Sequence, residues 1–137
     1  MNPPKMVASD TPDRGRMWYL VDANPDFIPE VKQFLDWKAA TRHAPATVKA
    51  YCSRLVWLYC FLAHHRLQVA EVTPMHFTEF VVWLCHPLRS DGPGEGALTP
   101  YPLQPTSVNL IVHAVTALYR LLERRGITHS SVGISLI

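Results

Sequence analysis

The sequence has 137 residues, which fits one domain of ordinary size, and 48% of them are apolar, enough to build a compact core. No apolar run reaches the roughly 18 residues needed to cross a bilayer, and the first residues lack the apolar centre of a secretory signal. These features exclude a membrane-spanning or globally disordered protein, and we expect a cytoplasmic one with no membrane partner.

The net charge of +2 conceals an uneven distribution of charges. Six of the eleven acidic residues lie in the first 36 positions, whereas residues 37–70 contain none. The acid-free stretch carries five basic residues: Lys38, Arg42, Lys49, Arg54 and Arg66. Such a stretch suits a polyanion, and a solvated basic face accounts for it equally well.

The first part of the chain gives little periodic signal. Residues 1–26 contain Pro, Asp and Arg without a repeat, so they are predicted to be a flexible lead-in. Residues 17–21 (MWYLV) have the alternative of packing on the domain or forming a short strand. A first helix is predicted from Pro29 to Ala40, because apolar residues follow Pro29 at helical spacing.

Three further helices are predicted downstream. The second opens at Pro45, since proline is tolerated at a first helical position, and its apolar stripe runs to about His65. The third begins at Thr73-Pro74 and ends at Pro87, and residues 88–104, dense in Pro and Gly, are predicted to be a loop. The fourth opens at Pro105 and ends before Gly126.

The two long predicted helices match each other at an offset of 60 residues. The matched positions share residue type: Pro45 with Pro105, Thr47 with Ser107, Val48 with Val108, Leu58 with Leu118, Tyr59 with Tyr119, and Leu62 with Leu122. Amphipathic helices resemble one another in general, but this fixed register exceeds what periodicity requires. It predicts two similarly built helix hairpins, each presenting its long helix in the same way.

Together these segments resemble the core-binding domain of tyrosine recombinases, the SAM-like N-terminal domain of phage integrases. The resemblance is carried by VKQFLDW, APATVKAYCSRLVWLYCFL, EVTPMHFTEFVVWL and PTSVNLIVHAVTALYRLLERRG, which begin at Val31, Ala44, Glu71 and Pro105. It covers about residues 27–127. The Asn-Pro that usually leads into the catalytic domain of that family is missing after the last helix.

The resemblance implies an all-α, compact four-helix fold of two hairpins in residues 27–127. Residues 128–137 would then be a linker toward a catalytic domain that has no counterpart in this sequence. It implies that the chain is not itself an enzyme and is the arm with which a site-specific recombinase grips double-stranded DNA during integration and recombination, nucleoid-associated when bound. Self-association on DNA through the full-length protein is implied, and no cofactor or small-molecule substrate.

The residues that suit this role lie outside the apolar stripes of the two long helices. Basic side chains can pair with phosphates, short hydroxyls suit phosphate oxygens near a helix start, and a carboxamide can read an adenine edge. The candidate DNA-binding residues are Arg42, Thr47, Lys49, Ser53 and Arg54 in and before the second helix, and Thr106, Ser107, Asn109, His113 and Arg120 in the fourth. Thr116 and Arg124 continue the fourth helix's polar stripe, although an ordinary solvent-facing stripe is also consistent with the pattern.

The sequence leaves two alternatives to DNA binding, a metal site and a protein-interaction module. Cys60 and His64 lie four residues apart and could share a metal, but no second pair at ligand spacing accompanies them, and the three cysteines are expected to be buried free thiols. The alternative function is a helical protein-protein interaction module without DNA binding, for which Trp18, Trp57 and Trp83 could form a patch.

Overall fold

The computed structural model of the chain describes residues 4–41, 43–85 and 103–126. Arg42, most of the predicted loop at 88–104 and the predicted linker at 128–137 lie outside the described residues, so the predictions made for them stay untested. The predicted division of the chain into residues 1–26, 27–127 and 128–137 also stays untested.

An N-terminal β-hairpin replaces the predicted flexible lead-in. Strand β1 (Lys5–Thr11) pairs antiparallel with β2 (Gly15–Val21), with Ala8 opposite Trp18. Gly15 has a φ of +70°, and Thr11 closes the turn by donating from its hydroxyl to the Gly15 carbonyl at 2.8 Å. The prediction of an all-α, SAM-like fold is therefore wrong, because the chain is a mixed α/β structure. The alternative of a short strand at residues 17–21 is confirmed.

Four α-helices are found in the described part of the chain, at the positions predicted for them. They are α1 (Pro29–Ala40), α2 (Pro45–His65), α3 (Pro74–Cys85) and α4 (Pro105–Arg124), with a 3-10 turn at Val69–Glu71 between α2 and α3. Helices α1, α2 and α4 each have proline in the first turn. That position suits proline because its missing N–H would have no intrahelical partner there.

The core lies where the two long helices meet α1, α3 and β2. Its largest fully buried side chains include Phe34 of α1, Phe61 of α2, Phe80 of α3 and Tyr119 of α4. Leu20 brings the hairpin into the same core, with 1% of its surface exposed. The hairpin is thus a structural part of the domain. None of the described helices combines the length and apolarity required to cross a bilayer.

A single carboxylate fixes the hairpin to α1. One oxygen of Asp36 accepts a hydrogen bond from the Tyr19 hydroxyl at 2.6 Å, and the other lies 2.8 Å from the Lys32 ammonium. Arg14, in the hairpin turn, donates to the backbone carbonyl of Asp36 at 3.3 Å. These contacts explain why an acidic residue stands on the partly buried side of α1.

Strand β2 runs alongside α2 in the same direction. Trp18 lies beside Lys49 near the start of α2, and Asp22, just after β2, shares a cleft with Tyr59 and Leu62 toward the end of α2. The hairpin turn therefore points toward the N-terminal end of α2. This alignment places the hairpin beside the helix that carries most of the predicted site.

Candidate nucleic-acid interface

The first three turns of α2 carry a face of small and cationic side chains that are exposed or half-buried. At about 100° per residue, Lys49 and Arg54 project about 140° apart on the helix. Ala46, Ser53 and Ala50 project between them, and the first two of these are exposed. The predicted cations thus lie on the two flanks of α2, with short side chains along the middle.

On one flank, Lys49 rests on the hairpin. Its ammonium lies 4.4 Å from the centre of the Trp18 ring, a distance at which a cation is attracted to the face of an indole. The contact holds the charge near the surface of the domain, and Lys49 itself is exposed. Trp18, which the alternative function would place in a protein-interaction patch, supports a basic residue in the structure.

On the other flank, two cations approach the ring of Tyr51. The Arg54 guanidinium lies 6.0 Å and the Lys38 ammonium 4.9 Å from its centre. Lys38 also lies 5.6 Å from the ring centre of Phe34 and 5.0 Å from that of Trp37. Lys38 belongs to the acid-free stretch but is not among the residues predicted to bind DNA. Its place beside Tyr51 becomes visible only in the folded chain, where the end of α1 meets the start of α2.

The hydroxyl candidates of α2 differ in how they are used. Thr47 is exposed in the first turn, where its N–H already bonds to the Ala44 carbonyl at 2.9 Å. Ser53 is exposed, and its hydroxyl donates to the Ala50 carbonyl at 3.0 Å. Both hydroxyl oxygens can accept a hydrogen bond, and the Ser53 hydroxyl can turn to a new acceptor at the cost of its one local bond.

The candidates of α4 form the predicted stripe with one exception. Asn109, His113 and Arg120 are exposed and line a shallow cleft on one side of the helix. Thr116 lies within this stripe but is only 5% exposed, and its hydroxyl donates to the Val112 carbonyl at 2.8 Å. Its inclusion in the polar surface was therefore wrong.

Two candidates stand at the start of α4. Thr106 is exposed and Ser107 half-buried in the first turn. The residue before the helix, Gln104, makes no side-chain cap bond, as is also true of Ala44 before α2. The two long helices thus begin alike, with proline in the first turn and no acidic residue there.

Among the described residues, no carboxylate forms an ion pair with the predicted site cations Lys49, Arg54 and Arg120. Among the described residues, the ion pairs are Arg14 with Asp36, Arg16 with Asp10, and Lys32 with Asp36. Lys49, Arg54 and Arg120 take part in none of them. An unpaired cation on an aromatic ring remains available to an external anion, because the ring does not cancel its charge.

The long helices approach each other at their matched tyrosines. The Tyr59 hydroxyl donates to Glu30 at 2.7 Å, and the Tyr119 hydroxyl donates to the Val69 carbonyl at 2.8 Å. Burial raises the pKa of both tyrosines above its ordinary value, and the nearby Glu30 charge raises each further. The sequence repeat therefore corresponds to a real meeting point of α2 and α4 beside one carboxylate.

The structure does not gather all the candidates into one contact. No hydrogen bond or ion pair within the described ranges joins the α2 candidates to those of α4. Arg66, the last cation of the acid-free stretch, caps the far end of α2 with a φ of 53°, about 30 Å of helix away from Pro45. The basic stretch is therefore divided, with Lys38 and Arg54 at the Tyr51 ring and Arg66 apart from them at the other end of α2.

The possible metal-ligating side chains in the described part of the chain do not cluster. No group of three His, Cys, Asp or Glu residues there could hold a metal ion. Cys52 and Cys60 are buried, as expected, and form no disulfide within the described residues, and burial raises the pKa of Cys52 to about 12. Cys85 is exposed, contrary to the expectation for all three cysteines.

Comparison with known proteins gives one kind of match. The chain is 28% identical over 113 residues to transposase A from transposon Tn554 of Staphylococcus aureus, and three sequences of that name match equally well. The match covers 80% of this chain but only 30% of the transposase. No protein-family model and no solved structure matches the chain.

Proposed function

We propose that this chain is a DNA-binding arm of a site-specific recombinase of the tyrosine type, and that it grips duplex DNA during recombination or transposition without carrying out the cleavage itself. The likeness to a transposase supports the biological setting. The observation that carries the proposal is the start of α2, where unpaired cations on aromatic rings flank a strip of short side chains.

The arrangement of α2 matches what a major groove offers. The groove is about 12 Å wide and admits one α-helix between two rows of phosphates. With cations on both flanks, α2 can meet phosphates on each side, while Ala46 and Ser53 let the backbone approach the base edges. In this arrangement Asn109 and His113 of α4 supply the second set of contacts.

The test is the salt dependence of duplex DNA binding, measured by fluorescence anisotropy. Each phosphate contact contributes about 0.9 to the slope of log affinity against log salt. Replacing Lys49 and Arg54 by alanine should lower that slope by about 1.8, so the affinity advantage of the wild type should shrink about twelvefold between about 50 and 200 mM salt.

A matched control removes two charges from the C-terminal ends of α2 and α4. Arg66→Asn suits the left-handed backbone at that position, and Arg125→Gln changes an exposed residue at the end of α4. This double variant should keep the slope of the wild type. Equal loss of slope in both double variants would show that net charge, and not the face of α2, governs binding.

A protein-interaction module is the second candidate, and one observation favours it. Met75 and Val82, seven residues apart on α3, are 72% and 63% exposed, which is high for large apolar side chains. A module of this kind would leave duplex DNA unbound at low salt. The wild-type titration therefore separates the two functions.

A further inference from the structure

We propose that the N-terminal hairpin is a second DNA-contacting element, in which Arg16 binds a backbone phosphate of the duplex held by α2. The inference rests on the proposed function. It adds a DNA contact from residues for which the sequence predicts only a flexible lead-in. It starts from the Lys49–Trp18 contact, which joins the exposed face of α2 to strand β2.

Alternation along β2 puts Arg16 and Trp18 on the same face of the hairpin, because side chains two residues apart point the same way. That face is the one turned to α2, since Trp18 lies under the Lys49 ammonium. Arg16 stands about 7 Å farther along the strand, toward the hairpin turn and the start of α2. Lys49 and Arg16 therefore both lie on the side of the hairpin that carries Trp18.

Arg16 is free to change partners. Its Nε lies 3.4 Å from an Asp10 carboxylate oxygen, and the two side chains are 64% and 78% exposed. An exposed pair of this kind is held weakly, so a phosphate can compete for the guanidinium. Arg14, by contrast, donates a hydrogen bond to the backbone carbonyl of Asp36 in α1, so we do not include it in the proposed DNA-contacting surface.

Asp10 provides a direct test of the inference. Its carboxylate pairs with Arg16, so it would compete with a DNA phosphate for the guanidinium and repel that phosphate. Removing the Arg16 charge should weaken DNA binding, whereas removing the Asp10 charge should strengthen it. A purely structural role of the pair predicts loss in both variants. Lys5, at the open end of the hairpin opposite Val21, offers a charge-matched control away from the turn.

The experiment measures anisotropy of a labelled mixed-sequence duplex with the full chain and the variants Arg16→Gln, Asp10→Asn and Lys5→Gln. The wild-type advantage over Arg16→Gln should shrink about threefold between about 50 and 200 mM salt, as one lost phosphate contact requires. Asp10→Asn should bind more tightly than the wild type at low salt, and Lys5→Gln should match it.

The outcomes separate this inference from the function on which it rests. If DNA binding depends on Lys49 and Arg54 while Arg16→Gln behaves like Lys5→Gln, the hairpin contact is overturned and the proposed function stands. Weaker binding by Asp10→Asn also overturns the contact. If the wild type leaves the duplex unbound at low salt, both proposals fall.

Discussion

Replacing Asp36 by alanine should be one of the most destabilising single changes on the surface of this domain. The substitution removes the acceptor of the Tyr19 hydroxyl, whose residue is 3% exposed, and the partner of Lys32. Arg14 keeps its bond to the backbone carbonyl at this position but loses the carboxylate 3.8 Å away. The hairpin would then be held to α1 mainly by apolar contacts.

The size of the effect follows from the individual contacts. A hydrogen bond to a charged group contributes about 1.5–3 kcal/mol. The Lys32 and Arg14 side chains are 41% and 38% exposed, so their ion pairs are screened by solvent and add at most about 1 kcal/mol together. Asp36→Ala should therefore lower the free energy of unfolding by about 1.5–4 kcal/mol.

Urea unfolding followed by far-ultraviolet circular dichroism measures this loss, and Asp10→Ala is the matched control. Asp10 also pairs with an arginine of the hairpin, but both side chains are well exposed, so its removal should cost less than about 0.5 kcal/mol. Amide exchange in β1 and β2 should accelerate in Asp36→Ala more than in the helices. A loss below about 1 kcal/mol, or one equal to that of the control, would refute the reasoning.

Two further predictions concern buried titratable groups. Tyr59 and Tyr119 have pKa values raised by burial, with the Tyr59 hydroxyl bonded to Glu30 and Tyr119 fully buried. Below a pH of about 10 both tyrosines contribute their full stabilisation. Above it, each should reduce the free energy of unfolding by about 1.4 kcal/mol per pH unit. Their phenolate absorbance should therefore appear together with unfolding. Phenolate absorbance from both in the folded chain near pH 10 would contradict this. In the native protein, Cys85 should react rapidly with a thiol reagent, whereas Cys52, with its pKa raised to about 12, should react only on unfolding; rapid reaction of both would contradict the burial of Cys52.

The helices could be predicted because their signals are local. Proline at Pro45 and Pro105 fixes each helix start, and apolar residues at helical spacing fix the buried side. The polar stripe of α4 follows from the same spacing. Thr116 escapes the rule because a threonine can satisfy its hydroxyl on the preceding turn of its own helix, which allows burial without any partner outside.

The hairpin could not be recognised from apolar periodicity. Strand β1 contains Ala, Ser and Asp and is mostly exposed or half-buried, so it lacks the alternation that marks a half-buried strand. A signal is present in the turn, where Pro12-Asp13-Arg14, followed by Gly15, separates two strands of seven residues each. The contact of Lys49 with Trp18 depends on the pairing of β1 with β2, so it cannot be predicted without the hairpin.

The two-stranded sheet leaves the outer edge of β1 without a neighbouring strand in the described structure. A free edge of this kind invites strands of other molecules to add to it. Lys5 and Asp10 place charges along β1, and Pro12 directly follows it with no N–H to donate. These residues protect the hairpin from edge-to-edge aggregation, and apolar replacements of Lys5 and Asp10 should cost solubility before they cost folding stability.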